Sequence, residues 1–374
     1  MAPRTIVVIG AGIIGCLVAS ELAARDPKAS VTVLDRDAIG AGASRRSAGL
    51  HLPRGSTPRI RQMAAYSHAY YASMRRQDPE LPIHPVGATV ITRKATAATL
   101  GDRYLDLAAP APASRLPGRD LCQRDGQVAW QIAGSHYTDV GKLCEAVAAG
   151  LRSSVRFAEG VAVTRIDVSD ADGSDADGSE ADFCDAAVTV HGGTGEQIVA
   201  DSVVLAPGPW LATPAWSDLV APLGLRVKKI VALHIERRPG PADEVVVFED
   251  EDAFLLPLAG RGHWLFSYTC QQWDVDPDRL TAGVSAADIA AARECLRQYS
   301  PVLAQACASG RVFCDAYSDD GEPVVRALEA AGRIVFAGAA SGSGYRLAPA
   351  IASQAADLLN LTPSEGATGD HQYV

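Results

Sequence analysis

The chain opens on an apolar run, Ile6-Val7-Val8-Ile9, whose unbroken hydrophobicity predicts a strand buried on both faces. It passes directly into Gly10-Ala11-Gly12-Ile13-Ile14-Gly15, and the small and apolar residues that follow to Ala24 predict a helix packed on that strand. A second β-branched run, Val31-Thr32-Val33-Leu34, ends at Asp35. Residues 5–20 carry no charge and follow Arg4, as a signal peptide or short membrane span would. The stretch is short for a span, and its clustered glycines fit a strand turning into a helix better.

Farther along, Thr138–Leu151 predicts an amphipathic helix with Asp139 near its start. Val155–Asp167 and Phe183–His191 predict paired strands, joined by an acidic, small-residue segment (169–182) that reads as a solvated hairpin loop. That segment lacks the ligand spacing and closing glutamate of a calcium loop. Alternation along Arg226–Ile235, Glu244–Phe248, Ala253–Leu258 and His263–Tyr268 predicts an antiparallel sheet. Ala286–Tyr299 reads as a helix and 107–118 as an exposed loop.

Composition adds limits. At 374 residues and 48% hydrophobic, the chain has material for two domains and enough apolar surface to fold. A formal net charge of −10 argues against nucleic acid or an anionic membrane surface as the main partner. Eight scattered cysteines, with no CxxC and no Cys/His cluster, point to reduced thiols in a cytoplasmic protein, with neither a metal site nor a disulfide framework.

The first motif carries chemistry. Gly10 permits a tight turn, Gly12 lets a pyrophosphate approach the backbone, and Gly15 lets helix and sheet pack closely. The helix N-terminus offers free N–H groups and partial positive charge to phosphates. Asp35 follows Gly15 at the spacing of a carboxylate that meets an adenosine ribose, which disfavours a 2′-phosphate and leaves FAD and NAD.

Asp35-Arg36 leads into Gly40-Ala41-Gly42-Ala43-Ser44-Arg45-Arg46-Ser47-Ala48-Gly49, which resembles the second flavin-binding stretch of the D-amino acid oxidase superfamily. Val203–Trp210, with Gly208, resembles the strand that returns to the flavin in that family. Ile334–Gly338 and Ser341-Gly342-Ser343-Gly344-Tyr345-Arg346-Leu347 resemble its last strand, glycine turn and helix, whose N-terminus faces the flavin pyrimidine. The resemblance implies an α/β fold: a Rossmann-like FAD-binding domain (1–52, 136–215 and 310–374) interleaved with an antiparallel-sheet, α+β substrate domain (53–135 and 216–309). It implies non-covalent FAD contacted by Gly10, Gly12, Ile13, Ile14, Gly15, Asp35, Arg36, Ser44, Arg46, Ser47, Ala48, Gly49, Leu50, Val163, Gly208 and the segment Gly342–Leu347. Ser47 stands where other relatives use a histidine link, and Cys314 lies near the flavin-linking cysteine of sarcosine oxidase.

The resemblance also implies the reaction: hydride removal from a carbon next to an amine nitrogen, giving an imine that water hydrolyses. A hydroxy-acid dehydrogenase and a flavin-binding subunit that needs a partner chain are the alternatives. The family's usual carboxylate-binding arginine falls on Asp315 here, so either Asp315 meets a substrate cation or Arg311 is the true anchor. The position of the sarcosine oxidase lysine in the last turn is Arg346, a guanidinium able to grip a carboxylate with two hydrogen bonds. His51, Tyr268 and Tyr317 are further candidates for touching substrate. The family's oxygen-activating lysine falls on Leu265, which leaves O2 and other electron acceptors equally open.

Overall fold

In the computed structural model, which describes residues 3–117, 120–169, 187–280 and 283–361, the first apolar run is the centre of a six-stranded sheet. The strand order is Val324–Ala327, Ile334–Gly338, Ser202–Leu205, Thr5–Ile9, Ser30–Asp35 and Val155–Glu159. All neighbours are parallel except Val324–Ala327, which runs antiparallel at the edge. Alternation divides the central strand between two cores: Ile6 and Val8 pack against helices, while Val7 and Ile9 pack against a small antiparallel sheet. The helices are Ile13–Arg25, Gly344–Leu358, Val140–Leu151 and the long Pro58–Gln77; the small sheet is Val163–Val168, Val188–Gly192 and Gln197–Ala200. Covering both faces is what makes an uninterrupted apolar strand favourable, at about 1.5–3 kcal/mol for each large aliphatic side chain buried.

Helix starts follow their caps. Asp139 accepts the Lys142 N–H to begin Val140–Leu151, and Thr57 accepts the Ile60 N–H just before Pro58 at the first helical position. The single strand expected over Val155–Asp167 is instead two. Val155–Glu159 joins the parallel sheet and Val163–Val168 pairs with Val188–Gly192, because the turn at Gly160 (φ +77°) swings the chain from one sheet to the other. Most of the acidic segment 169–182 lies outside the described residues.

The second layer is an eight-stranded sheet, ordered Cys307–Tyr317, Arg226–Ile235, His263–Tyr268, Ala253–Leu258, Val245–Phe248, Ala88–Arg93, Gln127–Ile132 and Ala111–Pro112. It is antiparallel except where Val245–Phe248 runs parallel to Ala88–Arg93. Part of the loop expected at 107–118 thus supplies the edge strand. Helices Ala286–Arg297 and Pro301–Gln305 cover one face of this sheet, where Lys229 and Asp288 form a buried ion pair at 2.8 Å. The boundary expected at residue 310 falls inside Cys307–Tyr317, which pairs along its whole length with Arg226–Ile235 and so belongs to the larger sheet. Among the described residues no helix is long and apolar enough to cross a membrane.

Candidate active site

Between the two sheets lies a cavity of about 590 Å³, bordered at one end by the glycine motif and at the other by the eight-stranded sheet. At the first end Gly10 has φ +105°, and a Cβ there would sit 2.2 Å from the Ala206 carbonyl oxygen; one on Gly15 would sit 1.8 Å from that of Gly10. Only glycine fits either place. Gly12 caps the helix Ile13–Arg25 without a side-chain acceptor, and Ser44 Oγ takes the Ile13 N–H at 2.9 Å. Asp35 accepts the Ala11 N–H at 2.6 Å and the Asp37 N–H at 2.8 Å, which leaves lone pairs on both oxygens for ribose hydroxyls. Arg36 stacks 4.4 Å over the Trp210 ring, and both side chains bond to Asp278, in the segment that follows strand His263–Tyr268.

The second flavin loop begins with Gly42 and the short helix Ala43–Arg46, after which Ser47, Ala48, Gly49 and Leu50 line the cavity. Gly49 has φ +63°, with the Thr138 carbonyl oxygen 2.0 Å from any Cβ placed there. Arg46, expected at the cofactor, turns away: its guanidinium returns to the carbonyls of Ala41 and Gly42. What holds the loop is Arg311, which donates to the carbonyl oxygens of Arg46 (2.7 Å) and Ser47 (3.1 Å) and contacts His234 Nε2 at 2.8 Å. It therefore caps a helix C-terminus and does not border the cavity. Arg311→Ala is expected to loosen this loop and weaken FAD retention by about tenfold without unfolding the protein, as read by flavin release on dilution.

The final turn places Gly342, Ser343, Gly344, Tyr345 and Arg346 on the cavity wall, while Leu347 packs wholly inside the helical core. Pro349 lies inside the helix Gly344–Leu358 and lacks the N–H that would bond to the Tyr345 carbonyl. The Tyr71 hydroxyl donates to that carbonyl instead, at 2.6 Å. At its other end the Tyr345 hydroxyl lies 2.5 Å from Thr138 Oγ1 and 2.9 Å from His136 Nε2. Tyr345 is thus pinned twice, one residue before Arg346.

Arg346 forms no ion pair among the described residues; its one hydrogen bond is to Ser343 Oγ at 2.6 Å. Burial and then the neighbouring Arg54 push its guanidinium down to about 9. Arg54, not singled out from the sequence, also lines the cavity; it pairs with Glu249 at 2.8 Å, and Glu249 also holds Arg103. On strand Cys307–Tyr317 alternation puts Phe313, Asp315 and Tyr317 on the cavity face and turns Cys314 to the other, where it is 4% exposed and its thiol is pushed up to about 11 by burial. No flavin link through Cys314 fits that orientation. Tyr268 borders the cavity but donates its hydroxyl to the Asp288 carbonyl. Lys228, a second residue not anticipated, lines the cavity opposite Asp315.

His51 is a correction. Leu50 and Leu52 take the cavity-facing phase, so the His51 side chain points into the interior, fully buried and stacked on His136 at 4.4 Å with His68 beyond. Leu265 is buried in the core as well.

Val163 and Gly208 complete the rim beside Asp35 and Trp210, and the cradle as a whole fits a dinucleotide: two glycines whose Cβ atoms would collide with backbone, a helix N-terminus whose cap, Gly12, has no side chain, and a carboxylate with free lone pairs. The fold is similar to that of glycine oxidase from Geobacillus kaustophilus (TM-score 0.72, 19% identity, covering 97% of this chain and 96% of that one). It is similar also to L-proline dehydrogenase from P. horikoshii (TM-score 0.77, 16% identity, 97% and 95%) and to the fructosyl amine: oxygen oxidoreductase (Amadoriase I) of Aspergillus fumigatus (TM-score 0.75, 18% identity, 98% and 89%). No curated protein matches the chain at the level of sequence. The family described as DAO, FAD dependent oxidoreductase, matches residues 5–358, and the chain belongs to that family of FAD-dependent enzymes.

Proposed function

We infer that this oxidoreductase acts on the C–N bond of an amino acid, an N-substituted amino acid or a related carboxylate-bearing amine, with FAD held non-covalently. The observation that carries the reading is Arg346: a half-buried guanidinium without an ion-pair partner among the described residues, on the wall of the cavity that the dinucleotide cradle opens into. A partly desolvated cation of this kind gains from an arriving anion, and the planar fork suits a carboxylate. Bound FAD supplies the hydride acceptor. The chain's part is to fix the carboxylate at Arg346, to keep water away with Leu52, Phe254 and Phe313, and to hold the amine in its neutral form. Asp315, a carboxylate within the same cavity, favours an amine over an alcohol as the group oxidised, since it offers an ammonium a counter-charge that a hydroxyl does not need.

The test is anaerobic mixing of the FAD-loaded protein with a panel of amino acids, N-methyl amino acids and 2-hydroxy acids. Bleaching of the flavin absorbance by members of the amine group, with release of ammonia or a shorter amine, is the expected result. Bleaching by hydroxy acids alone would replace this reading with C–O oxidation.

A further inference from the structure

Asp315 stands out among the acidic groups of the cavity. Its oxygens accept only two backbone N–H groups, Ala316 at 2.9 Å and Gly342 at 3.0 Å, and among the described residues it forms no ion pair. Gly342 belongs to the glycine turn that leads to Arg346, so the carboxylate is fastened to the same turn as the carboxylate anchor. Across the sheet its register partner is Lys228, whose ammonium is drawn aside over the rings of Trp273 (4.8 Å) and Tyr317 (5.3 Å). Lys228 is 6% exposed and likewise forms no ion pair among the described residues. Tyr317, on the strand of Asp315, and Asp252, in the turn after Glu249–Glu251, also border the cavity here; Cys314 and Lys229 face the opposite side of the sheet.

We propose that Asp315 is a catalytic residue: it receives the substrate's ammonium group and takes one proton from it, leaving the neutral amine from which a hydride can depart. The inference rests on the amine-oxidising reading above. In the step, an N–H bond of the ammonium breaks, its electron pair stays on nitrogen, and the proton bonds to a carboxylate oxygen of Asp315. After the hydride leaves the neighbouring carbon, that nitrogen electron pair forms the C=N bond; the proton passes from Asp315 to water when product leaves.

Two features favour proton acceptance over the seating of a permanent cation. Lys228 already brings one positive charge to this stretch of the cavity wall, over the rings of Trp273 and Tyr317, and a permanent cation seated at Asp315 would add a second. Proton transfer, by contrast, turns a buried ion pair into two neutral groups, which a dry cavity favours. Burial also pushes the Asp315 carboxyl up to about 6 against the two N–H groups that pull it down, in the range where a base at neutral pH is both ionised and able to accept a proton.

The experiment uses the FAD-loaded protein and two readouts. The first is calorimetry in buffers of different ionisation enthalpy, with an analogue of the fastest panel amine in which every carbon next to nitrogen carries methyl groups in place of its hydrogens, so that no hydride can leave. At pH 7.5 the native protein should exchange almost no protons with buffer on binding it, because the proton only moves to Asp315. Asp315→Asn should release about one, because it binds the amine already neutral. The second is the anaerobic bleaching rate at low amine concentration against pH. For the native protein the rate should level off above about pH 6. For Asp315→Asn it should be roughly 100-fold slower near pH 6.5 and climb about tenfold per pH unit toward the pKa of the amine, with Asp315→Glu restoring much of the native profile. Equal proton counts, or parallel profiles, would overturn the assignment. Loss of binding in Asp315→Asn, with or without retention in Asp315→Glu, would overturn it in favour of a seat for a permanent cation or a structural role. A native protein bleached by no amine would sink the amine reading itself, whereas bleaching with an unchanged Asp315→Asn profile would remove only the role of Asp315.

Discussion

Arg346→Met is expected to raise KM for a carboxylate-bearing substrate by roughly 100- to 1000-fold while leaving FAD content unchanged. The size follows from what the guanidinium lacks. It is half-buried, its hydrogen bond goes to a neutral hydroxyl, and the repulsion of Arg54 acts on it more strongly than the attraction of either Asp252 or Glu249. A substrate carboxylate would therefore meet a cation that no acid among the described residues holds in an ion pair. Truncating one member of such a pair strands the other at a cost of about 2–5 kcal/mol. Arg346→Lys keeps the charge but loses the two-pronged grip, and should fall between the two enzymes. Because the methionine fills similar volume and removes an uncompensated charge, its melting temperature should not drop; steady-state kinetics and thermal melts on the same preparations check both halves. An unchanged KM would move the anchor to Arg54.

The protein should lose stability steeply on acidification below pH 6.5, and the histidine cluster is the cause. His51, His68 and His136 are held neutral by burial, with His136 pushed down to about 3 and His51 well below its ordinary value. Their unfolded forms take up protons near pH 6.5 while the folded forms refuse them. Stability from the neutral state is thus fully present above pH 6.5 and is lost as pH falls toward the folded value. For His136 alone this is about 3 kcal/mol by pH 4. Protonation would also make both ring nitrogens donors and charge the ring 2.9 Å from the Tyr345 hydroxyl, and so disturb the turn that carries Arg346. His136→Asn, which keeps a hydrogen-bonding group without a titrating ring, should flatten this slope in urea unfolding between pH 4 and 7; an unchanged slope would assign the loss to other groups. Asp315 works with the opposite sign. Its raised folded value contributes stability at low pH that disappears as pH rises through about 6, so Asp315→Asn should be the more stable protein at pH 8.

Most of the cofactor cradle was legible because its chemistry is local. Gly10, Gly12 and Gly15 lie within one turn, Asp35 closes the next strand, and the glycine turn at 342–344 starts its own helix. Backbone geometry dictates such positions, and backbone geometry is written in neighbouring residues. Asp139 marked a helix start for the same reason. Arg46 and Leu347 lie in those same motifs yet turn away from the cavity, since a motif sets where the backbone goes and not the direction of every side chain within it.

The substrate side was less legible, and the reason is the phase of the strands. Alternation in the sequence says that Arg311, Phe313, Asp315 and Tyr317 share a face, but not that this face looks into the cavity, nor that Arg311 at its far end is occupied by the carbonyls of Arg46 and Ser47. The same one-residue distinction sends Leu50 and Leu52 toward the cavity and His51 into the core. Arg54 and Lys228 carry no motif and come from separate segments of the chain, brought to one cavity by a sheet that joins residues far apart in sequence. By itself the sequence determined a dinucleotide cradle and its FAD-binding family, both encoded in short stretches of backbone and side chain, and singled out Arg346 as the anchor proposed above. Only the tertiary structure decided which charges share the cavity, because long-range pairing of strands sets the face that each residue presents and the partners left to it.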